Sequence, residues 1–359
     1  MLSKMIFADN LSTWALFVEF ALAAAVVIVA GSKLTRMADQ LADRLNIASG
    51  WIGLILLATV TSLPELITGG TATAIGNVDL ALGGILGSCC FNITLIFLLN
   101  LLWRGGSVLS GVGAGHSLTS SFGLLLIGEA LLGIVLLDKF AASREFAQIV
   151  ELCWVALIAV TYLGCMKLVY RFERDQRLSE EVAGERPQVE SAVWVKLAAL
   201  ATILVAASWW LALIGDVLST HKIEMIGRPL GATFVGACFL ALATSLPEIA
   251  TSVAAVRLGN LDLALGNIFG SNMFNIFVVP FLKIVSVCDG SPLLLAEGSF
   301  SGTQNLITGL LAILLTAIAL GGLACKSKRI ILKWFGFDSI LIALTYAGGM
   351  LLLLMGGGR

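Results

Sequence analysis

A five-residue segment, Thr-Ser-Leu-Pro-Glu, occurs twice in this chain, at residues 61–65 and 244–248. Each copy places a glutamate inside a run of residues apolar enough to cross a bilayer, where an ionisable side chain is a functional candidate by default. The similarity extends well beyond the segment. At a constant offset of 183 residues, 21 of the 36 positions in 58–93 are identical to those in 241–276. The sequence therefore predicts an internally duplicated membrane protein.

The composition supports a lipid-embedded chain. Hydrophobic residues make up 58% and charged residues 13%, with a mean hydropathy of +0.98, whereas soluble domains carry about 25% charged residues. The seven cysteines are scattered without CxxC spacing, which argues against a disulfide framework or a zinc site.

The polar run 33–44 mixes both charges with apolar residues, as an interfacial helix does, and nothing indicates nucleic acid. We expect no cofactor, no enzymatic activity and no protein partner.

Apolar runs predict ten transmembrane helices, since about 20 residues are needed to span the hydrocarbon. The runs are residues 11–31, 47–75, 79–102, 117–137, 147–170, 193–217, 229–257, 262–285, 303–324 and 336–356. The longest polar stretch, 171–192, divides them into five and five. We therefore expect a first five-helix repeat over 1–170, a linker over 171–192 and a second five-helix repeat over 193–359.

An odd number of helices in each repeat has a consequence for topology. The two repeats begin on opposite sides of the membrane, so the predicted fold is an all-α polytopic membrane protein built from two inverted repeats. Placing the N-terminus outside puts 15 of the 22 Lys and Arg residues on the inner side. This bias favours both termini outside and a cytoplasmic linker. No cleavable signal peptide is evident.

The repeated segments carry oxygen-bearing groups on common helical faces. Spacings of three, four and seven residues align two matching sets: Ala58, Thr61, Ser62 and Glu65, and Ala241, Thr244, Ser245 and Glu248. Pro64 and Pro247 predict a break or kink before each glutamate, which exposes backbone carbonyl oxygens. Carboxylate, hydroxyl and carbonyl oxygens are hard ligands that suit Ca²⁺ or Na⁺ rather than a soft transition metal.

The next helix of each repeat adds a hydroxyl and an amide one turn apart. These are Ser88 with Asn92, and Ser271 with Asn275. Glycines in 83–87 and 266–270 are expected to let these helices approach the broken ones closely. Two inverted copies would then converge on one midplane site, whose two ionised glutamates match the charge of one divalent cation.

The paired segments AxxTSLPE and GNxDxALGxxxGSxxFN resemble the alpha repeats of the calcium/cation antiporter superfamily, which includes the sodium/calcium exchangers and their prokaryotic relatives. The resemblance implies that Glu65 and Glu248 are the central ion ligands. It implies that the surrounding ligands are Thr61, Ser62, Ser88, Asn92, Thr244, Ser245, Ser271 and Asn275, with backbone carbonyls from Ala58 and Ala241.

The resemblance also implies a mechanism and a location. The mechanism would be alternating access, in which the first and sixth helices form a gate that slides against the other eight. The substrates would be inorganic cations, with Ca²⁺ exchanged for Na⁺ across the plasma (inner) membrane of a prokaryote.

Three positions depart from the family pattern. Gly84 and Cys89 replace the asparagines that the second repeat has, and Asn275 replaces an aspartate typical of potassium-dependent members, which favours a potassium-independent exchanger.

Other functions compete with sodium-coupled exchange. Two glutamates that bind two protons would permit Ca²⁺/H⁺ antiport with no change in charge. An ion channel is disfavoured, because two inverted copies form a pairwise site rather than a symmetric pore. A structural or receptor role would not require duplicated buried acids.

Several polar residues outside these sets are expected to have structural roles. Asp79 and Asp262 follow Gly-Asn at predicted helix starts, which suits helix N-caps. The intramembrane acids Glu19 and Glu129 are expected to make peripheral hydrogen bonds, and the adjacent cysteines 89 and 90 to pack. Two histidines, 116 and 221, lie near helix ends and are expected to be solvated.

Overall fold

The structure, a computed structural model, describes residues 13–45, 47–74, 76, 78–103, 106–140, 144–178, 190–220, 222–223, 228–229, 234–288, 302–326, 330–331 and 335–356. Within these ranges the chain is helical apart from short turns and two minimal strand pairs. Counting one interrupted helix as a single element, the described residues form ten long helices, which confirms the predicted all-α fold.

The helices follow the chain in the order that the apolar runs predict. They are α1 (Thr13–Leu45), α2 (from Ser49 to Ala74, interrupted), α3 (Val78–Leu102), α4 (Gly115–Phe140), α5 (Arg144–Leu178), α6 (Ser191–Thr220), α7 (Phe234–Arg257), α8 (Leu261–Cys288), α9 (Gly302–Cys325) and α10 (Phe337–Gly356). A 3₁₀ turn (Val108–Gly111) precedes α4. In the described residues, α1 to α6, α8 and α9 are each long and apolar enough to span a membrane.

Two antiparallel strand pairs lie between helices. Strand β1 (Lys222–Ile223) pairs with β2 (Arg228–Pro229), with Lys222 opposite Pro229. Strand β3 (Ile330–Ile331) pairs with β4 (Phe335–Gly336), with Ile330 opposite Gly336. Each strand has only two residues. The two pairs therefore close the turns before α7 and α10 and do not form a sheet layer.

Helix α1 is longer than its apolar run predicts. It continues through the polar stretch 33–44, where Leu34, Ala38, Leu41 and Ala42 are buried. Their spacing of four, seven and eight residues places them on one face, which packs on the protein core. The polar run is therefore helical as expected, and it forms the amphipathic end of α1. Its location at the membrane interface stays a prediction.

Two contacts between helix starts show that the repeats run in opposite directions. Asp79 at the start of α3 accepts a hydrogen bond from Asn305 at the start of α9, at 3.2 Å. Asp262 at the start of α8 contacts His116 at the start of α4, at 2.9 Å. Since α4 follows α3 and runs antiparallel to it, α3 and α8 begin at opposite ends of the molecule. This is the geometry of an inverted repeat.

Helix α8 is the centre of the molecule, with almost every residue from Leu261 to Val279 buried. Glycines on α8 allow a close approach to α2. A Cβ on Gly270 would lie 2.7 Å from the Ala58 Cβ, and a Cβ on Gly266 would overlap the Gly50 backbone. The predicted close approach of helices is therefore confirmed at Gly266 and Gly270. In the first repeat, a Cβ on Gly83 would lie 3.0 Å from Asn305 Oδ1 of α9. A matching close approach of the α3 glycines to α7 stays a prediction.

Candidate functional site

The two repeated glutamates are buried in different helices. Glu65 lies in the first turn of the last segment of α2 (Leu63–Ala74), and Glu248 follows Pro247 within α7. Their residues are 4% and 0% exposed, and they are near enough to interact electrostatically. Among the described residues, no hydrogen-bond partner contacts either carboxylate oxygen of Glu65 or the Oε2 atom of Glu248. Buried carboxylates without donors are costly unless a cation or protons neutralise them.

Helix α2 is interrupted just before its glutamate. Gly53–Leu57 forms a π-helical turn, and Ala58–Thr61 returns to α-helix. Ser62 then leaves the helical region with φ −91° and ψ 2°. Pro64 contributes to this break because it has no N–H to donate. Helix α7, by contrast, is continuous from Phe234 to Arg257 with Pro247 inside it, so the two repeats differ at this point.

Hydroxyl groups from the first repeat reach the second. Ser62 Oγ donates to Glu248 Oε1 at 3.4 Å. Thr61 Oγ1 lies 3.3 Å from Ser271 Oγ and donates to Asn267 Oδ1 at 3.4 Å. All these side chains are buried. The structure thus brings together α2, α7 and α8 around the glutamates.

The amide side chains of α3 and α8 add further polar atoms to the interior. Asn92 is 1% exposed and donates its Nδ2 to Asn272 Oδ1 at 3.1 Å, which leaves its own Oδ1 without a partner. Asn275 is fully buried, and neither its Oδ1 nor its Nδ2 has a hydrogen-bond partner. Unsatisfied buried amides are uncommon and require an explanation. A bound cation or water would satisfy both.

The remaining predicted residues occupy the same helices. Ser88 is buried on α3, and Ser245 is buried on α7 beside the partly buried Thr244. The carbonyl of Ala58 already accepts the Ser62 N–H at 3.0 Å within α2. Residue Ala241 lies in α7, in the stretch whose side chains are outside the described part.

Sequence reasoning missed two threonines that support the glutamate turns. Thr68 Oγ1 donates to the Pro64 carbonyl at 2.9 Å, and Thr251 Oγ1 donates to the Pro247 carbonyl at 2.8 Å. Each also lies 3.3 Å from the carbonyl of its glutamate. The signal was present, because these threonines recur at the same 183-residue offset.

Asn267 on α8 was also missed, and its side chain contacts both α7 and α2. Its Nδ2 donates to Thr251 Oγ1 at 2.9 Å and to Ser252 Oγ at 3.0 Å, while its Oδ1 accepts from Thr61. Its counterpart in the first repeat is Gly84, so this network exists in one repeat only.

Two expectations about the helix ends were wrong. Asn260, not Asp262, caps α8, since its Oδ1 accepts the Leu263 N–H at 2.9 Å. The Oδ1 of Asp262 instead accepts the Gly113 N–H and contacts His116. His116 is 3% exposed rather than solvated, because the start of α2 covers it. The other histidine, at 221, and the Asn at 77 before α3 lie outside the described residues.

The peripheral acids make hydrogen bonds of the expected kind. Glu19 on α1 accepts from Trp210 Nε1 of α6 at 3.2 Å. Glu129 on α4 accepts from Thr161 Oγ1 of α5 at 2.9 Å. Neither belongs to the network around Glu65 and Glu248.

The packing of α6 on α2 differs from the packing of α1 on α7. Between the last segment of α2 and α6, a cavity of about 370 Å³ is lined by Leu63, Ile67, Ala201, Thr202, Val205, Ala206 and Trp209. Between α1 and α7 the packing is tight: a Cβ on Gly31 would lie 3.2 Å from the Ala250 Cβ, and Asn260 Nδ2 donates to Asp39 Oδ1 at 2.6 Å. The two pseudo-equivalent interfaces therefore differ.

Comparison with known proteins agrees with this architecture. The profile of the family described as "Sodium/calcium exchanger protein" matches residues 15–169 and 197–355, which correspond to α1–α5 and α6–α10. The chain belongs to the sodium/calcium exchanger family. It is therefore an integral membrane protein of a family of cation antiporters, as the resemblance of its repeats implies.

Individual relatives within the exchanger family span most of the chain. It is 30% identical over 259 residues to the putative antiporter CaxA of Alkalimonas amylolytica, covering 71% of this chain and 75% of that protein. It is 25% identical over 358 residues to the sodium/calcium exchanger MaX1 of Methanosarcina acetivorans, covering 89% and 96%. A solved structure of the sodium-calcium exchanger NCX_Mj superposes with a TM-score of 0.65 at 18% identity, covering 93% of this chain and 98% of that one. The fold is shared.

Proposed function

We propose that this protein exchanges Ca²⁺ for Na⁺ across the membrane at a midplane site built from both repeats. The observation that carries the proposal is the pair Glu65 and Glu248. Both are buried and near enough to repel each other, and three of their four carboxylate oxygens have no hydrogen-bond donor among the described residues. An intramembrane acid in this condition needs a counter-charge. Two ionised carboxylates match one Ca²⁺, and hard oxygen ligands suit it.

The proposed ligand set is the one that the sequence predicts. The carboxylates would be assisted by hydroxyl, amide and carbonyl oxygens of Ala58, Thr61, Ser62, Ser88, Asn92, Ala241, Thr244, Ser245, Ser271 and Asn275. Support comes from the unpartnered Oδ1 of Asn92 and the wholly unpartnered carboxamide of Asn275. Asn275 is neutral, so the site charge stays at −2, and the exchange would not require potassium.

Alternating access would move the gate pair α1 and α6 against the other helices. The tight α1–α7 interface and the cavity between α2 and α6 support this proposal, because alternating access requires the two pseudo-equivalent interfaces to differ in any one state. With both termini outside the plasma (inner) membrane of a prokaryote, the last segment of α2 would run outward.

Coupling to Na⁺ is favoured over coupling to H⁺ by the name and coverage of one relative. MaX1, which aligns along 89% of this chain, is a sodium/calcium exchanger. The proton-coupled alternative retains the same two glutamates and differs only in what replaces Ca²⁺ on them. The two alternatives predict different driving gradients.

Purified protein in proteoliposomes tests the proposal. Radioactive Ca²⁺ uptake is measured with a Na⁺ gradient, with a pH gradient in the absence of Na⁺, and with neither, using protein-free liposomes as the control. We expect uptake only when Na⁺ leaves the vesicles. Uptake that follows the pH gradient without Na⁺ would establish proton coupling. Flux down the Ca²⁺ gradient alone, without a counter-ion, would indicate a channel and contradict antiport.

A further inference from the structure

Cys89 and Asn272 are equivalent positions of the two repeats and touch each other. They are 183 residues apart, the repeat offset. Asn272 Nδ2 donates to the Cys89 carbonyl at 3.1 Å, and Cys89 Sγ donates to the Asn272 carbonyl at 3.8 Å. Equivalent residues of two related units can meet only near the axis that relates the units. This reciprocal pair therefore marks the pseudo-twofold axis, between α3 and α8.

The two members of the pair differ in what they can do for the neighbouring amide. A carboxamide has an acceptor oxygen in addition to its two N–H donors, whereas a thiol has a single donor and is a weak acceptor. Asn272 uses its Oδ1 to accept the Nδ2 of Asn92 at 3.1 Å. The thiol of Cys89 donates to the Asn272 carbonyl at 3.8 Å, and its sulfur is only a weak acceptor for the adjacent Asn275 amide.

The result is an asymmetry between the two site amides. Asn92 has its Nδ2 held by Asn272, so its amide plane is fixed and its unpartnered, buried Oδ1 is the atom left for a ligand. Asn275 is 0% exposed, and among the described residues neither of its amide atoms has a hydrogen-bond partner of normal geometry. The thiol of Cys89 beside it is a weak partner, so the orientation of the Asn275 amide is held less firmly than that of Asn92.

We propose that Asn272 is a positioning residue that orients Asn92 as a fixed oxygen ligand, and that the thiol of Cys89 holds Asn275 too weakly to prevent its amide from rotating. Asn275 can then turn its oxygen toward a bound cation, or its NH₂ group toward a carboxylate after the cation has left. This inference rests on the proposed function of the site. It adds that the amide of Asn92 is held in one orientation, whereas the amide of Asn275 can change its orientation.

Exchanging the two axis residues tests the proposal. The variants are Asn272→Cys, the double exchange Cys89→Asn with Asn272→Cys, and Cys89→Ala as the control that removes a thiol without adding a carboxamide. The initial rate of Na⁺-driven Ca²⁺ uptake is measured against Ca²⁺ concentration, so that KM and maximal rate separate. Size-exclusion chromatography and thermal unfolding establish that each variant is folded.

We expect Asn272→Cys to raise the KM for Ca²⁺ roughly tenfold, as loss of a partner that orients a metal ligand does, with a smaller change in maximal rate. The double exchange moves the carboxamide to the other repeat, where it can hold Asn275, so the KM should return to within about threefold of the wild-type value. Cys89→Ala should leave the KM within about twofold. A folded Asn272→Cys protein with wild-type KM, or a double exchange that recovers nothing, would overturn the proposal.

A second measurement separates this inference from the proposed function. Thermal unfolding of the purified proteins is followed while Ca²⁺ is titrated, which reports binding without transport. If the wild-type protein shows no gradient-driven uptake, antiport fails. A Ca²⁺-dependent stabilisation that Asn272→Cys weakens and the double exchange restores would still support the positioning role, and a stabilisation equal in all variants would refute it.

Discussion

The hydroxyl of Ser62, in the first repeat, lies 3.4 Å from Oε1 of Glu248, in the second. This contact crosses between repeats, as does that between Thr61 and Ser271. Neither repeat therefore completes the polar network by itself. The network requires residues of both repeats. Changes that separate α2 from α7 or α8 should affect cation handling even when no proposed ligand is altered.

The close approach of α8 to α2 gives one such change. A Cβ on Gly270 would lie within 2.8 Å of atoms of Ala58 and Leu54, including main-chain atoms. Gly270→Ala should therefore lower stability by about 1–3 kcal/mol and reduce transport, although alanine favours helix. Gly164→Ala, at an exposed α5 position with no described neighbour within 4 Å, is the control and should be neutral or slightly stabilising. Thermal unfolding in detergent compares them, and equal stabilisation by both substitutions would contradict the packing argument.

A buried ion pair links α5 to α8. Lys283 Nζ lies 2.5 Å from Glu151 Oε2, and Glu151 is fully buried. Glu151→Leu leaves a largely buried ammonium without this carboxylate and should destabilise the protein by about 3–5 kcal/mol. Adding Lys283→Met to the same chain should recover most of that loss, because an apolar pair of similar size replaces the charges. Chemical denaturation in detergent measures both; a double variant as unstable as Glu151→Leu would show that the pair itself is essential.

Inverted topology can be tested with a matched pair of exposed positions. Ala74 is the last residue of α2, and Leu258 follows α7. In a cysteine-free background, Ala74→Cys should react with an impermeant thiol reagent from outside, and Leu258→Cys only after the membrane is permeabilised. Leu258 is used so that Arg257, the cation of that turn, remains in place for the positive-inside bias. Labelling of both positions from the same side would contradict the proposed orientation.

The coupling ion determines the electrical behaviour of transport. A site with two ionised glutamates is neutral with Ca²⁺ bound, carries +1 with three Na⁺ and is neutral with two protons. We therefore expect sodium-coupled transport to be electrogenic. Each elementary charge moved is worth about 2.3 kcal/mol per 100 mV, so an imposed potassium–valinomycin potential should change Ca²⁺ flux several-fold. Flux that ignores the potential and follows a pH gradient without Na⁺ would establish proton coupling instead.

Much of the fold could be predicted from the sequence because the membrane requires long apolar runs. Ten runs corresponded to ten helices, and the odd number per repeat predicted the inversion that the Asp79–Asn305 and Asp262–His116 contacts display. Helix ends were less predictable. The polar run 33–44 continues α1 because its apolar face finds the core, and this depends on the position of neighbouring helices, which a linear pattern does not contain.

The candidate site was predictable where the two repeats agree and not where they differ. Thr61, Ser62 and Glu65 recur in the second repeat, so symmetry identified them. Asn267 and Asn272 have Gly84 and Cys89 as counterparts, so the recurrence that selected the candidate ligands did not select these asparagines. Their importance comes from contacts across the repeat boundary, which only the three-dimensional arrangement provides.

The central claim is that Glu65 and Glu248 form one cation site. Glu65→Gln and Glu248→Gln preserve shape but each removes half of the negative charge, while Glu129→Gln changes an intramembrane acid outside the network. Initial rates of Na⁺-driven radioactive Ca²⁺ uptake into proteoliposomes, at matched amounts of folded protein, test this directly. We predict that either site substitution reduces the rate at least about tenfold, as expected when a site for a divalent cation loses one of its two carboxylates, and that Glu129→Gln retains most of it. Retention of more than about half the wild-type rate by Glu65→Gln or Glu248→Gln would contradict the two-glutamate site.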